Sequence, residues 1–219
     1  MKKQPKENEP LSSLTHFFGV LLSIAGLTLL VVLAVFHGTA WHVVGFAIYG
    51  VSLILLYLAS TVYHFVPRNT TAKNVLRRID HSMIYVLIAG TYTPVCLVLP
   101  QRGWGWGLLG AVWGLAVVGI VFKATGFKME NRFLTIALYI GMGWLGVIAI
   151  PPLVQSLPKT GIWWFVAGGI LYTLGAAFYV LNRFVPRTRW FGMHEVFHVL
   201  VMAGSISHFW AMLKYVLYL

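Results

Sequence analysis

From Leu11 to Pro67 the chain contains no Lys, Arg, Asp or Glu, and apolar residues dominate without the alternation of a half-buried strand. A membrane span needs about 20 such residues, so this stretch holds two helices rather than one. The turn His37-Gly38-Thr39 separates a first helix, near Ser12–Phe36, from a second, near Trp41–Phe65. Pro67 ends the second helix, since proline cannot donate the next backbone hydrogen bond. The same reading predicts a third helix near Ile79–Leu99 and a fourth near Trp104–Phe122. A fifth runs near Phe133–Ile150 and is closed by Pro151-Pro152. A sixth covers Ile162–Leu181, and a seventh starts near Phe191 and continues to the C-terminus. The expected class is all-α, an integral membrane bundle of seven transmembrane helices.

Composition agrees. Of 219 residues, 59% are hydrophobic and 10% charged, and mean hydropathy is +0.81. A soluble domain carries about 25% charged residues. No polar segment is long enough for a soluble domain, which leaves residues 1–11 as a short polar N-terminus and 12–219 as one membrane domain. The lone Cys96 falls inside a predicted helix, so no intramolecular disulfide can form.

The net charge of +11 changes the picture only through its placement. Thirteen of the sixteen lysines and arginines fall at one side of the predicted bundle; Arg102, Lys159 and Lys214 fall at the other. That bias puts the N-terminus in the cytoplasm and Leu219 outside, in a cell membrane, with no nucleic-acid footprint. Trp41, Trp104, Trp106, Trp163 and Trp164 then lie at the outer headgroup level.

Ionisable groups inside a bilayer are costly and usually functional. This topology puts Ser60 and His64 in the last turns of the second helix, Asp80 in the first turn of the third, and His194 and His198 in the first two turns of the seventh. All share one level. His194 and His198 are spaced i, i+4 on one face. With His64 they make three neutral nitrogen ligands, the number a catalytic Zn²⁺ uses while a fourth position stays open. Asp80 supplies counter-charge or a general base, and Ser60, one turn from His64, a hydrogen bond within the site. Glu195 lies about 80° off the His194/His198 midline and is expected to face a neighbouring helix or the basic loop around Arg187. His81, about 100° from Asp80, is expected to face away. His16 and His208 read as hydrogen-bonded core residues, and His37 and His42 as outer-loop residues.

At Ser60-Thr61-Val62-Tyr63-His64, Asp80-His81 and His194-Glu195-Val196-Phe197-His198 the chain resembles the hemolysin III family, itself related to the progestin and adipoQ receptors and more distantly to alkaline ceramidases. The resemblance covers the chain from about Ser12 onward. It implies zinc on His64, His194 and His198, with Asp80 and Ser60 beside it, and hydrolysis of a lipid amide. Only about ten polar residues precede the first helix, unlike the long N-terminal regions of the animal receptors, so hormone reception is not carried over. Three functions are carried forward: a zinc-dependent intramembrane hydrolase of lipid amides or esters, a membrane-lipid sensor with a structural zinc, and a cytolytic or channel-like protein.

Overall fold

A computed structural model describes residues 10–67, 70–125, 132–181, 184 and 192–219. Among them seven helices are long and apolar enough to cross a membrane, and there are no strands. The first spans Pro10–His37, the second Ala40–Phe65, the third Thr71–Val98 and the fourth Arg102–Thr125. The sixth spans Lys159–Leu181 and the seventh Met193–Lys214, followed by a 3₁₀ turn at Val216–Tyr218. In lipid every backbone group must find a partner within the protein, and a helix does this inside one segment. Lysines 2, 3, 6 and 128 and arginines 68, 183, 187 and 189, on which the orientation rests, lie outside the described residues.

Two boundaries differ from expectation. The third helix starts eight residues early, so Asp80 is its tenth residue rather than part of its first turn. The apolar pattern marks where hydrocarbon begins, while the polar run Thr71–Ile79 is helical below that level. The fifth span does not stop at Pro151-Pro152. It runs as Arg132–Trp144, relaxes to a 3₁₀ segment at Leu145–Ala149, and resumes as Ile150–Ser156. The two prolines occupy the first turn of that last piece, where a missing N–H costs nothing.

Neighbours in sequence pack tightest: first on second, second on third, third on fourth, and sixth on seventh, with the first helix also touching the seventh. Phe46, Tyr49, Leu30, Leu99 and Met212 fill one core. Tyr85, Ala89, Val112, Ala116 and Met142 fill a second, between the third, fourth and fifth spans. Outward faces carry Phe17, Phe18, Leu22, Val117 and Trp163, as a lipid-facing surface requires. Small residues set the closest approach. A Cβ on Gly45 would lie 2.7 Å from Pro94 Cα, a backbone atom that cannot swing aside. Gly45→Ala should therefore cost about 1–3 kcal/mol, read as a lower melting temperature in detergent. An unchanged melting temperature would mean that the two helices are not in this contact.

His42 is not a loop residue. It is buried. Its Nδ1 accepts from Thr39 N–H at 3.0 Å, and its Nε2 lies 3.1 Å from Val216 O. It thus caps the second helix and ties it to the C-terminal turn.

Candidate metal centre

The second helix ends at Phe65, and Lys73 from the third helix closes it by donating to Tyr63 O and, at 3.0 Å, to Val66 O. The ammonium also sits 4.1 Å from the centre of the Tyr63 ring. This clamp satisfies helix-end carbonyls that would otherwise face lipid headgroups. It fixes His64, one residue from the helix end. The seventh helix is fixed from its own start. Glu195, fully buried, accepts from Gly192 N–H at 2.8 Å and from Ser12 Oγ of the first helix at 2.8 Å. Glu195 therefore faces a neighbouring helix, one of the two directions expected of it.

These anchors bring His64, His194 and His198 together. One ring nitrogen from each lies within 4.8 Å of the others. Nε2 of His64 and Nε2 of His194 are 3.2 Å apart. Ring centroids are 4.9 Å apart for His64–His194, 5.0 Å for His64–His198 and 4.5 Å for His194–His198. Two nitrogens on one tetrahedral ion at about 2.0–2.1 Å would be roughly 3.3 Å apart. The His64–His194 separation of 3.2 Å fits that geometry.

The surroundings of His198 fit as well. Its Nδ1 is 3.3 Å from Thr15 Oγ1, whose hydroxyl donates to Ser12 O at 2.9 Å. With the hydroxyl donating to Ser12 O, Nδ1–H of His198 can donate to Thr15 Oγ1, an arrangement that would leave the Nε2 lone pair for an ion. A metal-ligating histidine is typically oriented by such a hydrogen bond from its other nitrogen. A simple imidazole–imidazole hydrogen bond accounts for two rings but gives no reason for the third. The triad can hold a metal ion.

Ser60 and Asp80 are both buried and close enough for their side chains to interact, with His64 and Lys73 nearby. Ser60, Asp80 and the three histidines line one cavity of about 750 Å³. It is lined mainly by the second, third, fifth, sixth and seventh spans, with Lys123 and Leu108 of the fourth, and runs from Arg77 and Lys123 to Leu153 and Ile162. Its size is that of a small-molecule site, and most of its wall is apolar. His81 also lines this cavity, contrary to expectation, because the cavity takes in a wide arc of the third helix.

His16 is a further residue that sequence reasoning misjudged. It is no hydrogen-bonded core histidine. Its ring stacks on His198 with centroids 3.6 Å apart, and neither ring nitrogen has a hydrogen-bond partner among the described residues. The signal was available: six residues from the start of the first helix, it shares the depth of the triad. His208 does hydrogen-bond, through Nε2 to Phe165 O at 3.2 Å. Because His16 holds two unsatisfied buried nitrogens, His16→Phe should keep the stack and leave stability equal or up to about 1–3 kcal/mol higher. His16→Ala should lower it by about 2–4 kcal/mol through the space left behind. Equal losses in both variants, by thermal melting, would mean that the nitrogens have a partner.

Known proteins resemble the chain along nearly its whole length. The chain matches the Haemolysin-III related family over residues 4–209. It is 43% identical over 211 residues to the Hemolysin-3 homolog of Bacillus subtilis (strain 168), covering 95% of this chain and 94% of that protein. It is 41% identical over 211 residues to Hemolysin-3 of Bacillus cereus, covering 96% and 93%. At 26% over 208 residues it also resembles the human Monocyte to macrophage differentiation factor, covering 92% of this chain and 81% of that protein. The seven apolar helices, the histidine triad and near full-length identity above 40% lead to one conclusion: this multipass membrane protein belongs to the haemolysin-III related family.

Proposed function

We propose that the triad binds Zn²⁺ and that the protein is an intramembrane hydrolase of lipid amides or esters. The observation that carries this reading is the convergence of three imidazoles and the Ser60–Asp80 pair on one end of an otherwise apolar cavity. His64, His194 and His198 would hold the ion. Bound there, zinc supplies Lewis acidity towards a carbonyl and makes water a better nucleophile.

The chain's own residues do the rest. The apolar wall holds an acyl chain and keeps bulk water away from the carbonyl carbon. Asp80 takes a proton from the attacking water as the new C–O bond forms. It returns that proton to the leaving nitrogen or oxygen as the C–N or C–O bond breaks, which yields a fatty acid and an amine or alcohol. Ser60 is a positioning residue, holding the Asp80 carboxylate towards the cavity. The bundle would form one membrane domain with its N-terminus in the cytoplasm, placing the site near the inner leaflet of the cell membrane. The lysines and arginines of the connecting segments support that orientation.

The test is turnover of a fluorescent acyl amide and acyl ester by protein reconstituted in vesicles. The expected result is activity that a chelator removes and Zn²⁺ restores. Metal-loaded protein that turns over neither substrate, and loses only thermal stability to the chelator, would favour a structural ion in a lipid-sensing bundle.

A further inference from the structure

His16 takes no part in the proposed chemistry, yet it lines the same cavity as the triad. It is 3% exposed, and both of its ring nitrogens lack a hydrogen-bond partner among the described residues. Every other buried histidine described has one nitrogen engaged: His42 on Val216 O, His64 on His194, His198 on Thr15 and His208 on Phe165 O. Two unsatisfied polar atoms on one buried ring are destabilising and call for an explanation. A phenyl ring would fill the same space without that penalty, so packing alone does not account for histidine here.

The ring is held directly against the triad. Its plane lies 13° from that of His198 with centroids 3.6 Å apart, and the Tyr57 ring meets it edge-on at 5.1 Å. It is also close enough to His64 and His194 for charge on one ring to act on another. Thr15 and His16 are consecutive on the first helix, and they meet the edge and the face of His198 respectively. His16 is nevertheless not a fourth member of the group. The nitrogens that lie within 4.8 Å of one another belong to His64, His194 and His198. One stacking distance separates the His16 ring from a ligand of the candidate centre.

Burial of the triad sets a problem that this position solves. His64 and His198 are 2% and 1% exposed. A divalent ion cannot cross low-dielectric surroundings bare, because stripping its water without replacement is prohibitive. Each water shed on the way in must be exchanged for a protein ligand, and imidazole nitrogen is a good ligand for zinc. Resting on the metal reading above, we propose that His16 is a transfer ligand for the divalent ion. It binds the ion beside the triad, passes it to His64, His194 and His198, and takes it back on release. Its nitrogens are kept free of hydrogen bonds because a nitrogen already accepting one has no lone pair to offer.

Zinc exchange by the full chain in detergent tests this. Release to an excess of a chromophoric chelator gives the off-rate, competition at equilibrium gives Kd, and the off-rate divided by Kd gives the loading rate. His16→Phe should keep the wild-type zinc content and Kd. Its loading and release should both slow by the same factor, about tenfold or more, which is ~1.4 kcal/mol of barrier per tenfold. A transient ligand lowers the barrier and leaves both end states alone, so the two rates move together. His16→Val, smaller than histidine and equally without ligand nitrogens, should also be slow, which separates a lost ligand from a phenyl ring that blocks the way. Wild-type rates in His16→Phe would overturn the proposal, as would faster exchange in His16→Val, which would make His16 a plug. Faster release with unchanged loading would overturn it too, leaving His16 as a support for His198. Wild type that holds no zinc at equilibrium would defeat the metal reading itself, whereas zinc-replete wild type and variants that exchange alike would defeat only the transfer role.

Discussion

Asp80→Asn should retain metal and fold while losing hydrolysis by a factor of about 10²–10⁴, the range a positioned general base supplies. The amide keeps the shape and can still accept from Ser60, but it cannot take up the proton of the attacking water. Size and burial are nearly unchanged, so a fold defect is not the expected outcome. Ser60→Ala should be milder, since it removes a side chain that interacts with the carboxylate and not the carboxylate itself. Turnover of a fluorescent acyl amide or ester, with melting temperature and metal content measured on the same samples, separates the cases. Asp80→Asn protein with undiminished turnover would remove Asp80 from the mechanism.

Glu195→Ala should produce the opposite signature, a large loss of stability from a residue outside the triad. The carboxylate joins Gly192 N–H to Ser12 Oγ, tying the start of the seventh helix to the first. Truncation leaves the buried Ser12 hydroxyl and the partly buried Gly192 N–H without this acceptor and opens a space at full burial. The combined cost is about 3–5 kcal/mol. Glu195→Gln keeps an acceptor and should lose much less. Detergent melting curves and folded yield decide this. If Glu195→Ala melts like wild type yet abolishes turnover, Glu195 is a reacting group and Asp80 is no longer the sole candidate for the base.

How much was legible in the sequence depended on which physical signal was strong. Charge-free runs such as Leu11–Pro67 gave the seven spans, because hydrocarbon thickness imposes length and apolarity together. The i, i+4 pair His194/His198 and the depth of His64 gave the triad, because helix periodicity fixes the face and topology the level. Asp80 and Ser60 lie in the same cavity wall even though the start of the third helix was misplaced. Their pairing depends on relative depth, which a wrong helix end does not alter.

Contacts across helices were another matter. Nothing in the spacing says that Ser12 meets Glu195, or that His16 lies flat on His198. These follow from how the first helix rotates against the seventh, a choice made by packing. The passage of the fifth span through Pro151-Pro152 was hidden because a proline pair ends a helix in one setting and opens the next in another.

Metal content of detergent-purified protein, wild type beside His198→Ala, tests the central claim most directly. The prediction is about one zinc per wild-type chain and little or none in the variant, together with a lower melting temperature for the variant. Carefully prepared wild type with no stoichiometric metal would contradict it, and His64, His194 and His198 would then be a buried hydrogen-bonded cluster.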